Sequence, residues 1–198
     1  FVEKYNVHVY SSYNEVIGDD SVDCVYIPLP PAFHYEWAKK ALLAGKHVFL
    51  EKPSTTSADD TKELVGIAGE KGLVVQENYM FQFHAQLKEI ESFIASDELG
   101  KLRLVRTSFG FPRRAEGDFR YVKELGGGTM MDNGGYTIKL IDMLLGESMR
   151  LVSSQLDYDE KTGIDIFGTA EFVNDDGVIA QAAFGMDCQY QCSLELWG

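Results

Sequence analysis

The chain has 198 residues and a formal net charge of −13, from 31 acidic and 18 basic side chains, with 45% hydrophobic and 25% charged residues. That composition excludes a disordered polymer, and the length is ample for a hydrophobic core. It also argues against a nucleic-acid partner, which needs clustered Lys and Arg, and no apolar run approaches the roughly 20 residues of a membrane helix.

The first 77 residues alternate strands and helices. Val22–Ile27 is short, apolar and β-branched, and it stops at Pro28-Leu29-Pro30-Pro31, the pattern of a buried strand in a parallel sheet. A helix is predicted over 34–44, with Trp37, Ala38, Ala41 and Leu42 on one face and Gly45 as its stop. His47–Leu50 is the next strand, running into Glu51-Lys52-Pro53. Ser57 opens a second helix in capping-box style, and Lys71-Gly72 closes it. Leu73–Gln76 completes a strand–helix–strand–helix–strand run, which means βαβ units and a right-handed, doubly wound sheet.

The pattern changes near Asn78. A helix over 86–95, with Leu87, Ile90 and Ile94 inward, precedes a strand over 102–111 and an arginine-bearing loop. A helix is expected over 129–145, stopping at Gly146. β-type runs follow at 151–158, 166–173, 178–184 and 192–197, with Asn174-Asp175-Asp176-Gly177 as a hairpin turn. Residues 78–198 therefore read as an α+β domain with an open, mostly antiparallel sheet, after a partial Rossmann domain at 1–77. Three scattered cysteines, Cys24, Cys188 and Cys192, suit a reducing cytoplasm better than a disulfide framework.

Three segments carry chemistry. Lys52 is expected at the C-terminal end of a parallel strand, where ligands of such sheets bind, and Pro53 disfavours helical geometry there. A lysine so placed can protonate or hydrogen-bond a carbonyl oxygen; it can also simply cap an exposed loop. In Gly126-Gly127-Gly128-Thr129-Met130-Met131-Asp132-Asn133-Gly134-Gly135-Tyr136, Asp132 and Tyr136 stand i, i+4 and share a helix face. Tyr136 can donate a proton and Asp132 can hold a substrate hydroxyl. The alternative is a loop and a tightly packed core helix. The glycine triplet lacks the G-x-G-x-x-G spacing of a phosphate turn. Arg113, Arg114 and Arg120 form the one basic patch, fit for a diphosphate or for ordinary surface ion pairs. His34 and His84 lack further ligands at metal spacing, so no metal site is expected.

Together, Val22 to Pro31, Ala44-Gly45-Lys46-His47-Val48 running into Glu51-Lys52-Pro53, and Gly126-Gly127-Gly128 into Asp132 resemble the glucose–fructose oxidoreductase / inositol dehydrogenase family. Glu77-Asn78-Tyr79-Met80-Phe81, Phe83-His84-Ala85-Gln86, Gly117-Asp118-Phe119-Arg120-Tyr121 and Phe184-Gly185-Met186 look most like its nucleotide-diphosphohexose 3-ketoreductases. The resemblance implies an NAD(P)-dependent oxidoreductase that moves hydride between nicotinamide and a sugar carbon. Lys52 would be the acid/base, Tyr136 its partner and Asp132 a third catalytic group. Pro30, Pro31, His34, Glu51, Lys52 and Pro53 would meet NAD or NADP, and Asn78, Arg113, Arg120 and Asp132 the sugar or nucleotide sugar. It further implies a homo-oligomer through the C-terminal sheet. Tyr136 stands where many members carry His, which turns the reading away from inositol-type chemistry; Lys139 and Pro31 replace a common Asp and Asn. Other members acting on free sugars or diols, and a non-catalytic relative holding a dinucleotide or sugar, are the alternatives. No strand, G-x-G-x-x-G turn and helix precede Phe1, so the chain is expected to be the middle of a longer oxidoreductase, with weak dinucleotide affinity of its own.

Overall fold

The computed structural model describes residues 2–96, 98–115 and 117–198, and the chain divides into two compact units, Phe1–Asn78 and Tyr79–Gly198.

In the first unit, two short helices, α1 (Val2–Tyr5) and α2 (Tyr13–Gly18), lead into β1 (Cys24–Ile27). A 3-10 turn at Pro31–Phe33 runs into α3 (His34–Leu43), then β2 (His47–Glu51), α4 (Ala58–Lys71) and β3 (Val75–Asn78). The strands are parallel in the order β1-β2-β3. Val25, Ile27, Val48 and Leu50 point from the sheet onto Ala38, Ala41 and Leu42 of α3 and Leu64 and Ala68 of α4. The alanines let the helices lie close to the strands, and α3 and α4 also pack on each other. The Ser57 hydroxyl accepts from the Asp60 N–H at the start of α4, and Gly72 ends it with φ +65°. The Leu73 N–H donates back to Ala68 O, so Leu73 belongs to the helix cap and not to the strand expected there. That is why β3 begins two residues later than its hydrophobic pattern suggests.

The second unit holds α5 (Ala85–Ala95), β4 (Leu104–Phe111), α6 (Gly135–Leu145), β5 (Arg150–Tyr158), β6 (Asp165–Val173), β7 (Ile179–Met186) and β8 (Gln191–Trp197). Its sheet has the order β5-β6-β7-β4-β8. All neighbours are antiparallel except the central pair, β4 and β7, which run parallel. Alternating burial marks the strands but carries no direction; the parallel pair follows from the long connection through α6, which carries the chain to the far edge at β5. Ile141 of α6 packs on Val105, Ala180, Ala182 and Phe184. Gly168 leaves room for Phe184, whose ring atoms would lie 2.4 to 2.7 Å from a Cβ there. At the hairpin, Asn174 Oδ1 accepts the Val178 N–H, and Gly177 takes φ +76°.

The helix expected from Thr129 differs in its first turn. Met130–Gly134 is a π-helical turn, and regular α geometry starts only at Gly135. Such wide turns cost hydrogen-bond quality and recur at functional sites. Here the buried Asn133 explains it: its Nδ2 donates to Phe109 O at 2.8 Å and to Gly185 O at 2.7 Å, while its Oδ1 accepts from Thr129. The turn opens so that one side chain reaches the parallel β4–β7 pair.

Candidate active site

In the first unit the predicted residues gather at the C-terminal ends of the three parallel strands. Glu51 ends β2, followed by Lys52 and a cis peptide bond to Pro53. One oxygen of Glu51 accepts from the Tyr26 hydroxyl and from Asn78 Nδ2, both at 2.6 Å. Burial alone would raise the Glu51 carboxyl. The hydrogen bonds from Tyr26, Asn78 and the Lys52 backbone N–H, together with the Lys52 charge, outweigh it and hold the group below its ordinary range. Lys52 is half-buried. The Ser54 N–H donates to Glu77 at 2.7 Å, tying the same loop to β3.

Pro30 and Pro31 begin the 3-10 turn after β1, and Pro30 O accepts the Phe33 N–H. His34 is fully buried. Its ring nitrogens lie 2.8 Å from Pro53 O and 2.6 Å from Leu29 O, so the imidazole joins the β1 and β2 loops from inside. Any part it takes in ligand binding runs through those loops. The strand ends suit one end of a dinucleotide. Pro30, Pro31 and Pro53 carry no N–H, so these loops offer carbonyl oxygens and apolar walls instead of the N–H cradle that phosphate requires. Such a surface fits a nicotinamide carboxamide and ribose hydroxyls.

In the second unit the glycine-rich segment is built for close approach. A Cβ on Gly127 would lie 2.5 Å from Arg120 O and 2.8 Å from Val122 O, and one on Gly128 or Gly135 would overlap the Asp165 carboxylate or the Tyr79 hydroxyl. Asp165 accepts the Met130 N–H at 2.6 Å at the head of the turn, where an anion is favoured. Tyr136, in the first turn of α6, stands in an aromatic cluster. Its ring centroid lies 5.1 Å from Tyr79, 5.8 Å from Phe81 and 5.4 Å from Phe109, the first and last contacts edge-on. That geometry fixes the ring and leaves it half-buried.

The arginine patch divides in two. Arg120 Nε donates to Asp132 at 2.7 Å, and its Nη1 lies 3.2 Å from an oxygen of Asp118. Burial would lower the Arg120 pKa, but the charges and hydrogen bonds of Asp132 and Asp118 raise it. Arg113, far more exposed, pairs with Asp187 at 2.6 Å and sits over the Tyr121 ring. Tyr121 also donates to Asp187 at 2.6 Å, and its pKa is pushed up by burial and by that carboxylate. Arg114 lies over the Phe111 ring. The charge pairing of these arginines was among the readings open from the sequence; Tyr26, Tyr79, Asp118, Asn133, Asp165 and Asp187 had no assigned role there. Tyr26, Tyr79, Asn133, Asp165 and Asp187 work through partners distant in sequence, so no local pattern shows those contacts, whereas Asp118 pairs with Arg120, two residues on. Among the described residues no group of His, Cys, Asp and Glu could hold a metal ion, and no helix is long and apolar enough to cross a membrane.

Residues 1–79 match the model of an oxidoreductase family with an NAD-binding Rossmann fold, and residues 87–198 match that of the GFO/IDH/MocA C-terminal domain. The chain is 35% identical over 198 residues to a dTDP-3,4-didehydro-2,6-dideoxy-alpha-D-glucose 3-reductase of Saccharopolyspora spinosa, covering 100% of this chain and 60% of that protein. It is 34% identical over 180 residues to D-xylose 1-dehydrogenase (NADP(+)) 2 of Haloferax volcanii, covering 90% and 54%. Among solved structures, KijD10, a 3-ketoreductase from Actinomadura kijaniata in complex with NADP and TDP-benzene, superposes with a TM-score of 0.96 at 34% identity, over 100% of this chain and 61% of that one. KijD10 has also been solved with one lysine and one tyrosine substituted, separated by as many residues as Lys52 and Tyr136. The chain spans about 60% of the length of the first curated relatives.

Proposed function

The chain belongs to the GFO/IDH/MocA oxidoreductase family, and on that premise we propose that it carries the catalytic side chains of an NAD(P)-dependent nucleotide-sugar 3-ketoreductase. What carries this reading is the lysine at the end of β2 and the tyrosine at the head of α6, with the same separation as the pair substituted in KijD10. When bound, a reduced nicotinamide supplies the hydride that reduces the sugar's keto carbon. Pro30, Pro31, Glu51, Lys52 and Pro53 hold its nicotinamide end, with His34 fixing their loops. Lys52 protonates the developing alkoxide from Nζ, and its charge stabilises that oxygen as it becomes negative. Tyr136, oriented by Tyr79, Phe81 and Phe109, is the alternative donor of that single proton. Asp132 and Asn78 take sugar hydroxyls, and Arg113 and Arg114 meet the diphosphate. With the chain at −13, long-range attraction does not bring an anionic substrate in, so these contacts act at short range.

The open face of the five-stranded sheet supports a homo-oligomer. Ser193, Ser108, Ala183 and Thr169 form one row across it by register, small enough for a second sheet to lie flat. A reductase of this kind works in the cytoplasm, where NAD(P)H is supplied and Cys24, Cys188 and Cys192 stay unpaired. The similarity to a D-xylose dehydrogenase favours a second reading, a free-sugar dehydrogenase. Lys52→Met is expected to lower kcat at least about a hundredfold with little change in cofactor affinity, measured by NADPH consumption on catalytically active protein. Near-wild-type turnover would remove Lys52 from the reaction. Arg113→Ala separates the two readings: it should raise KM for a nucleotide sugar and leave that for a free sugar unchanged.

A further inference from the structure

We propose that Arg120 is a positioning residue for Asp132 and not a ligand of the substrate's diphosphate; the proposal rests on the reading above, in which Asp132 meets the sugar. The guanidinium is spanned by two carboxylates, Asp132 on Nε at 2.7 Å and Asp118 on Nη1 at 3.2 and 3.3 Å. One cation between two anions leaves a local charge of −1, which repels a diphosphate. The pairing is also sheltered: the Arg120 side chain is 24% exposed and that of Asp132 11%, against 69% for Arg113. The Arg120 guanidinium lies 4.6 Å from the Phe119 ring centroid, which shields one of its faces.

The main chain repeats the connection. Arg120 O accepts the Gly128 N–H at 3.0 Å, and Gly128 O accepts the Asp132 N–H at 3.1 Å. Arg120 is thus joined to Asp132 twice, once through two backbone hydrogen bonds and once through its side chain. Gly127 makes this possible, because any side chain there would strike Arg120 O. The Asp118 backbone position is fixed in turn, since its carboxylate also caps the 3-10 turn by accepting the Arg120 N–H at 3.0 Å. A ligand that met the guanidinium would share it with two carboxylates already on Nε and Nη1, whereas Asp132 gains from the pairing a carboxylate held in one orientation. A lysine could not do the same, since its single ammonium does not present the planar fork that reaches both carboxylates.

The test uses Arg120→Ala, Arg120→Lys and, for comparison, Arg113→Ala. In catalytically active protein, Arg120→Ala should lower kcat for the nucleotide sugar about tenfold or more, the scale of a lost charge-assisted hydrogen bond. Its affinity for thymidine diphosphate, read by calorimetry, should stay within about twofold, and millimolar guanidinium ion should restore part of the rate. Arg120→Lys should recover less than half of the loss. A tenfold weaker thymidine diphosphate affinity in Arg120→Ala, with kcat intact, would overturn the proposal. A second measurement does not depend on turnover. In the 198-residue chain, the Arg120 Nε–H resonance should be protected from solvent exchange, unmoved by thymidine diphosphate and lost in Asp132→Asn. Movement of that resonance on adding thymidine diphosphate would contradict the assignment even if all variants fold poorly. Absence of any sugar reduction by wild type would instead remove the functional reading, and the resonance would still decide whether Arg120 serves Asp132.

Discussion

At the scale of single residues, Glu51 is the group on which the strand ends converge, because Tyr26, Asn78 and the Lys52 N–H all donate to it. A folded-state pKa below the ordinary 4.5 means that this carboxylate stabilises the fold fully above that value, and the contribution is lost as pH falls through the lowered one. Glu51→Gln keeps the size but presents an amide to three donors. It should destabilise the protein by about 1–3 kcal/mol near pH 6, and the gap should narrow as pH falls through the lowered value, in urea titrations along that pH range. A second residue-scale effect concerns Gly127, where Ala places a methyl 2.5 Å from the backbone oxygen of Arg120. Backbone cannot yield as a side chain can, so Gly127→Ala should cost about 1–3 kcal/mol in the same titration. Gly127 and Gly128 are places of close approach; that Arg120 and Asp165 are what approaches could not be read from the sequence, because they lie 7 residues before Gly127 and 37 after Gly128 along the chain.

At the scale of elements, the head of α6 depends on Asn133. Its amide satisfies two carbonyls, of Phe109 and Gly185, on adjacent parallel strands. Asn133→Leu has similar volume and leaves both oxygens without that donor, so a loss of about 2–5 kcal/mol is expected in thermal or urea unfolding. Tyr136 lies three residues on, and the fluorescence or ring-proton signals of its cluster should broaden in the same variant. The strands and the α4 caps were legible because their signals are local: alternation over a few residues, Ser57 before the helix, Gly72 after it. The π turn was not, since its cause is a side chain bonding to strands 24 and 52 residues away. The direction of β4 against β7 was hidden for a similar reason. Alternation reports which face is buried and says nothing of the connection that sets polarity.

At the scale of the whole molecule, the family's two matched parts hold the proposed site residues, Lys52 in residues 1–79 and Asp132 and Tyr136 in residues 87–198. The row of small side chains Ser193, Ser108, Ala183 and Thr169 is expected to pack on a second copy. Ala183→Arg should then lower the molecular mass measured by sedimentation equilibrium, and an unchanged mass would remove that face as the contact. The central claim is that hydride passes from the nicotinamide to a keto carbon of a nucleotide sugar. The measurement that reaches it most directly is product analysis after turnover with NADPH deuterated at the transferring position. The account predicts one deuterium on C3 of the product sugar with wild-type protein, and formation of that product at least about a hundredfold slower with Lys52→Met. Product carrying no deuterium, or formed as fast without Lys52, would contradict it.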